Sequence, residues 1–508
     1  MSIPPNVSPT AFNTALNAWR KAVGPEWVFT SDEAVALYRD AYSPYYGEPE
    51  ERVASAAVAP ASVEQVQAVV RIANQHRIPL YPISTGRNLA YGGSAPVYSG
   101  SVVLDLKRMN RVLEVNERNA YALVEPGVSY FDLYEHIQKA KLDVWIDPPD
   151  PGWGSVIGNA LDGGGGWTAY PFRDHFAAHC GMEVVLANGE IVRTGMGALP
   201  NSKSWQQSRW GFGPWVDGLF RQSNFGVVTK MGFYLMPRPE ALISATVTTM
   251  RDEDIVPMLD VLNLLENQVV VNGSTQIFGG GRGPAGSAAW GIQVPIYGPE
   301  KVIRAQMDYA KAKFAAIPGL NIVESEMLRT PLTPEQMARV RLVNFGIPNL
   351  STFALLGRNP GNPDPAGGHI GFSPIVPRTG ESLLEFKRFY NENLSKVTGG
   401  ENLNIQGPVY MTCWERTLVC LIMFPIGRDK ALNAKMRRAF EGWVKLAAER
   451  GWAEYRAPAA FQDLIAETYS YNNHSLRKLR ETLKDAIDPN GIISAGRYGV
   501  WPKHLRKA

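Results

Sequence analysis

Three glycine-rich runs have the residue types to hold a phosphate. They are Ser84-Thr85-Gly86-Arg87-Asn88-Leu89-Ala90-Tyr91-Gly92-Gly93, Pro151-Gly152-Trp153-Gly154-Ser155-Val156-Ile157-Gly158-Asn159 and Asp162-Gly163-Gly164-Gly165-Gly166-Trp167. Backbone without a Cβ can lie against an anion, and successive free N–H groups form a nest for it. Gly152-x-Gly154-x-x-x-Gly158 has one residue too many for GxGxxG, and no GxxxxGK[ST] occurs, which disfavours Rossmann and P-loop proteins. His175-x-x-x-His179 has the spacing of a zinc-binding helix. Phe176 stands where HExxH has glutamate and no third ligand follows, so no metal is expected. The remaining reactive side chains stand singly: His369 among glycines in Gly367–Pro374, Tyr91 in the first run, Asp150 between prolines, and Tyr455-Arg456 before Ala457-Pro458. Taken one at a time, each is an ordinary loop, turn or packing residue.

The elements that must position these residues follow from periodicity and turn chemistry. Ser62 with Gln65 reads as a capping box, and Val66, Val69, Val70 and Ala73 give one buried helical stripe that Pro79 ends. Strands are expected at Leu80–Ile83, Ser101–Leu106, Val112–Val115 and Ala120–Val124, then a helix from Ser129 to about Lys141. Asn188-Gly189 between Glu183–Leu186 and Ile191–Thr194 signals a hairpin. Beyond Pro237-Arg238-Pro239 the texture changes. Strands at Ile243–Thr249 and Gly291–Ile296 flank a helix at Asp252–Asn267 and a Gly-rich stretch at Gly279–Gly286. Helices at Pro299–Ala316, Pro334–Asn344, Glu381–Thr398 and Lys430–Arg450 complete a second α/β unit with antiparallel strands.

Composition limits the class. The chain has 508 residues, 45% of them apolar, with 48 glycines and 37 prolines. The balance of 51 basic and 48 acidic residues argues against nucleic acid as a partner. Three cysteines, none in CxxC spacing, fit a reduced compartment, and neither an export signal nor an 18-residue apolar run is visible. A cytoplasmic globular protein off the membrane is the expectation.

In order along the chain, Ser84–Gly93, Ser101–Leu106, Leu123–Val128, Pro149–Asn159, Gly181–Leu186, Arg193–Gly197, Trp215–Gly232, Gly367–Pro374, Tyr455-Arg456 and Asp488–Pro502 resemble the vanillyl-alcohol oxidase/p-cresol methylhydroxylase flavoproteins. The likeness covers about two-thirds of the chain and is strongest to the bacterial 4-phenol oxidases of eugenol type. It implies an α+β, two-domain FAD-binding (PCMH-type) flavoprotein with an α/β cap domain over the flavin. The FAD-binding domain would comprise residues 1–240 and 452–508, with the cap as 241–451.

The resemblance also implies roles. Ser84, Thr85, Gly86, Arg87 and Asn88, with Gly92 beyond, would hold the pyrophosphate. Pro151, Gly154, Ser155, Gly158, Asn159 and Gly163 would line the other side of FAD, and Gly226 and Val228 its adenosine end. His369 would be the covalent anchor of the flavin 8α carbon. A tyrosine serves instead in the hydroxylase branch, and Leu355–Gly361 here contains none. Tyr91, Tyr455 and Arg456 would bind a phenolate, with Arg456 reaching between phenolate and flavin and Arg497 assisting. Asp150 would sit near flavin N5 and take a proton from water, and Glu454, beside Tyr455-Arg456, would line the pocket. The implied reaction is oxidation of a para-substituted phenol by hydride transfer from its benzylic or allylic carbon to N5 through a quinone methide. O2 is the expected acceptor; a hydroxylating dehydrogenase passing electrons to a cytochrome is the alternative. An enzyme for aliphatic 2-hydroxy acids and a flavin-carrying subunit are further alternatives, and a homodimer or higher homo-oligomer is expected. Trp167, Gly163, the Pro171-Phe172-Arg173 insertion and Cys413-Trp414-Glu415 depart from the pattern, which points to an altered pocket.

Overall fold

The computed structural model describes residues 3–170, 172–279, 288–352, 367–412, 414 and 416–506. Two sheets are built from the first part of the chain. A four-stranded sheet runs in the order Val28–Phe29, Ala57–Val58, Val102–Asp105, Leu80–Ile83, with the last three strands parallel. The helices Pro9–Val23 and Val63–His76 cover it, and Val66, Val69, Val70 and Ala73 are fully buried as their spacing requires. Ser62 caps the second helix through Gln65 N–H, but the Gln65 side chain bonds Ala61 rather than closing the box on Ser62. Ser129 and Asp132 do form a complete capping box, on helix Tyr130–Ala140. The second sheet is antiparallel and orders Val112–Asn116, Tyr121–Val124, Val227–Tyr234, His179–Val185 and Ile191–Arg193. Its last pair is the Asn188-Gly189 hairpin.

Residues 241–426 supply a nine-stranded sheet whose pairings are all antiparallel. Helices Ile255–Asn267, Glu300–Ala315, Gly380–Thr398 and Lys430–Glu449 pack into one large apolar core with it. Strand alternation gives the sheet two faces. Ile370 and Phe372 enter the helix-covered core, as do Leu418, Cys420 and Ile422. His369, Gly371 and Ser373, and likewise Val419 and Leu421, line an interior cavity on the opposite side.

Pro334–Asn344 is not the single helix its pattern suggests. A four-residue turn of helix, Pro334–Met337, is followed by a 3-10 turn, Leu342–Phe345, and Gly346 ends it at φ +69°. The break turns Arg341 inward. Past the last helix of the large sheet, Trp452, Ala457, Phe461 and Ile465 remain in that sheet's core. The tail then returns to the first sheet: Ile493 bridges Leu80, and Lys484, buried against Asp488 at 2.7 Å, also donates to Asn224 O and Ile493 O. Among the described residues no helix is long and apolar enough to cross a membrane.

Candidate active site

Two adjoining hollows contain most of the singled-out residues. The first is about 170 Å³ and is walled by Ser84–Asn88, Ser155, Gly158, Gly226, Val228 and Arg497. Strand Leu80–Ile83 delivers the Ser84–Asn88 turn, and the backbone N–H groups of Thr85, Gly86, Arg87 and Asn88 have no acceptor among the described residues. Unpaired donors on one turn are an anion nest. Gly154 lines both hollows, and a Cβ there would meet no atom within 4 Å. No protein atom demands glycine at 154; the space in front of it suits a ligand in contact with the backbone. Those two features fit a dinucleotide.

The second hollow is about 490 Å³ and opens off the first through Arg87, Asn88, Gly154, Asn159 and Arg456. Tyr91, Asp150, Pro151, Trp167, His369, Ser373, Tyr455 and Arg456 all line it. The large sheet's inner face provides one wall, with Ile277, Phe278, Val409 and Leu421 making it largely apolar and Gln276 and Gln293 adding polar points. His369 sits on strand Gly368–Phe372, its ring 5.4 Å from that of Tyr42. Gly368 permits this contact, since a Cβ would lie 2.5 Å from the Tyr42 ring.

Arg456 is held from several sides. Its Nε donates to Asp162 Oδ2 (2.9 Å), its Nη2 to Asn88 Oδ1 (2.5 Å), and its guanidinium stacks 3.9 Å over the Tyr91 ring. Arg497 donates to Asp162 Oδ1 and the Tyr81 hydroxyl, both at 2.7 Å. Burial alone would push the Asp162 carboxyl up, but Arg456 and Arg497 prevail and hold it below the usual carboxylate range. Burial likewise pushes the Tyr91 hydroxyl up, with Arg456 opposing. The rings of Tyr455 and Trp414 meet in a T, with 4.7 Å between centroids.

Asp150 reaches the segment that follows the Leu342–Phe345 turn. Its side chain is fully buried and accepts from the Ser351 hydroxyl (2.6 Å) and Thr352 N–H (3.0 Å), with Arg341 at 3.8 Å. Arg341 in turn stacks 3.6 Å from Trp167. Glu454 does not line the cavity: both its oxygens accept Ser373 N–H at 2.9 Å, and burial raises its carboxyl well above the usual range.

Several placements differ from expectation. Gly92 borders a separate small hollow beside Ala459, and Gly163 lines neither site cavity; at φ +72° it backs onto Arg221. The Asn88 side chain braces Arg456 and Asp162 rather than facing the nest. His175 and His179 take separate partners, Asp147 and Asp217, and His179 opens a strand, so the pair shares no helix. Leu355–Gly361, Cys413, Glu415, Pro171 and much of Gly279–Gly286 lie outside the described residues. Asp162, Tyr42, Arg341 and Tyr498 escaped the sequence. Asp162 had a signal, because two arginines assigned to one buried site require a counter-ion.

Residues 54–195 match the model of the FAD binding domain family. The chain is 33% identical over 530 residues to the 4-cresol dehydrogenase [hydroxylating] flavoprotein subunit of Pseudomonas putida, covering 98% of this chain and 97% of that protein. It is 30% identical to 1'-carboxy-chondrochloren decarboxylase of Chondromyces crocatus, with 96% and 98% covered. Among solved structures, the 4-ethylphenol oxidase of Gulosibacter chungangensis in complex with isoeugenol superposes with a TM-score of 0.87 at 33% identity, covering 99% of this chain and all of that one. Substrate-bound p-cresol methylhydroxylase gives 0.85 at 31%, with 98% and 99% covered. With the nest, the two joined hollows and near full-length relatives in agreement, the chain belongs to the p-cresol methylhydroxylase/vanillyl-alcohol oxidase family of FAD-dependent oxidoreductases.

Proposed function

We propose that this enzyme oxidises para-substituted phenols at the carbon attached to the ring. The observation that carries this is the meeting of Tyr91, Tyr455 and Arg456 on one apolar-lined cavity with a buried carboxylate, Asp150, elsewhere on its wall. Bound FAD supplies a hydride acceptor at N5. The chain's own residues make the phenol a better hydride donor. A phenol has a pKa near ~10, so holding it ionised at pH 7 takes about 4 kcal/mol. Hydrogen bonds to a charged group contribute ~1.5–3 kcal/mol each, so two tyrosine hydroxyls and a guanidinium suffice where one does not. Loss of hydride leaves a quinone methide; water adds to its exocyclic carbon and Asp150 takes the water proton. Arg456, pinned by Asp162 and Asn88, keeps its charge at the phenolic oxygen. His369, facing the cavity from its strand, is the residue we assign to the flavin 8α carbon. Its test is retention of yellow colour after acid denaturation, with free FAD released from His369→Ala.

Anaerobic addition of 4-ethylphenol is expected to bleach the flavin's visible band; absence of bleaching by any 4-alkylphenol would overturn the proposal. O2 is the acceptor we favour, given the likeness to 4-ethylphenol oxidase. The cytochrome-linked alternative is favoured by the full-length match to a 4-cresol dehydrogenase flavoprotein subunit. Mixing the reduced enzyme with air separates them: reoxidation within a second identifies an oxidase, and reoxidation over minutes a dehydrogenase.

A further inference from the structure

At the seam between the two hollows, two part-buried guanidinium groups share one carboxylate. Asp162 accepts from Arg456 and Arg497, and the Tyr498 hydroxyl and Asn88 Nδ2 occupy its remaining lone pairs at 2.7 Å each. Asn88 also accepts from Arg456 Nη2, which closes a ring of Asp162, Arg456 and Asn88. Two cations against one anion leave the cluster one charge positive. Its field reaches the cavity: at the Tyr91 hydroxyl, beyond the effect of burial, Arg456 favours an anion and Asp162 disfavours it. The other ionisable groups at the seam are Tyr81, Tyr455, Tyr498 and Arg87, whose guanidinium lies over the Trp153 ring; Glu454, whose carboxyl burial raises well above the usual range, lies behind Ser373.

We propose that Asp162 is a positioning and charge-limiting residue of the phenol site: it fixes Arg456 and caps the net charge at one unit, so that a bound phenolate is neutralised without being trapped. The proposal rests on the phenol chemistry proposed above. Without Asp162, a phenolate would face two uncompensated cations in a buried site and leave slowly. One unit charge at such separations in a protein interior changes anion affinity about tenfold.

The test uses the FAD-loaded protein and 4-fluorophenol, which carries fluorine in place of a para alkyl group and so has no benzylic hydride to give. Fluorine NMR reports both its binding and its ionisation. Wild type is expected to bind it ionised at neutral pH. Asp162→Asn should bind it about tenfold more tightly, with the bound phenol's pKa about one unit lower. Arg497→Gln, which leaves Arg456 and Asp162 to cancel, should shift both quantities in the opposite direction. Equal or weaker binding by Asp162→Asn, with an unchanged or higher pKa, would overturn the proposal and leave Asp162 a structural residue. Should Asp162→Asn fail to fold or to hold FAD, unchanged affinity in Arg497→Gln overturns it instead. If wild type takes 4-fluorophenol only in its neutral form, or not at all, the phenol chemistry falls and this proposal with it.

Discussion

Gly154 separates two reasons for a glycine. At Gly166 a Cβ would strike the Asp147 carboxylate at 1.9 Å, so the protein itself forbids one, whereas at Gly154 nothing is in the way. Gly154→Val is therefore expected to fold with an unchanged thermal midpoint when FAD is withheld and to be purified without yellow colour. Flavin content together with circular dichroism checks it. Glu454 makes a second case. Its carboxyl, pushed well above the usual range by burial, holds Ser373 N–H from behind the cavity, so Glu454→Gln should keep phenol turnover within about twofold. Glu454→Ala, which leaves that buried donor unpaired at ~1–3 kcal/mol, should lose roughly tenfold or more. Turnover measured across pH distinguishes this from an ionised Glu454, for which the glutamine variant would fail. Tyr91, Asp150, His369, Tyr455 and Arg456 were singled out through the ordered motifs of the resemblance, since each taken alone is an ordinary loop, turn or packing residue. Asp162 and Arg341 were not, since their roles depend on partners 294 and 191 positions away that no local spacing reveals.

At the scale of elements, most strands and long helices fall where alternation and 3.6-residue spacing put them, within one or two residues at the ends. At Pro334–Asn344 the helix stops at Met337, and Arg341, in the segment that follows, lies 3.8 Å from Asp150 and stacks on Trp167. Short connecting segments can also carry titrating groups, as in the loop that places Tyr42 against His369. Asp40 Oδ1 accepts Tyr42 N–H at 2.9 Å, and burial, partly offset by that bond, raises its carboxyl to about 6. An aspartate in the unfolded chain titrates near ~4, so the folded state holds this proton more tightly. Stability from this group is full below about pH 4, falls as pH rises to about 6, and stays low above. Asp40→Asn keeps the acceptor and removes the charge. It should stabilise the protein by about 1 kcal/mol at pH 7–8 and by nothing at pH 4; two full units would give ~2.7 kcal/mol, but the side chain is only half-buried. Thermal midpoints across that range test the sign.

At the scale of the molecule, residues far apart in the chain complete each other's walls. Lys484 is buried at the joint, its ammonium on Asp488 and two carbonyls, where burial pulls its pKa down and Asp488 resists. Lys484→Ala leaves Asp488 buried and unpaired, for an expected loss of about 3–5 kcal/mol. Because Ser494 and Arg497 border the first hollow, loosening of this joint should expose the flavin, read as a rise in its fluorescence, at temperatures where the helical circular dichroism still persists.

The return of the tail to Leu80 also orders events during synthesis. The strand that carries the Ser84–Asn88 turn takes its last neighbour from Ile493, and Arg497 closes the first hollow from beyond it. A nascent chain can therefore form the helix Val63–His76 early, yet has no finished cradle until Ile493 and Arg497 have emerged. FAD uptake then waits on those residues, and chains cut short of Arg497 should never turn yellow, however well their earlier segments have folded.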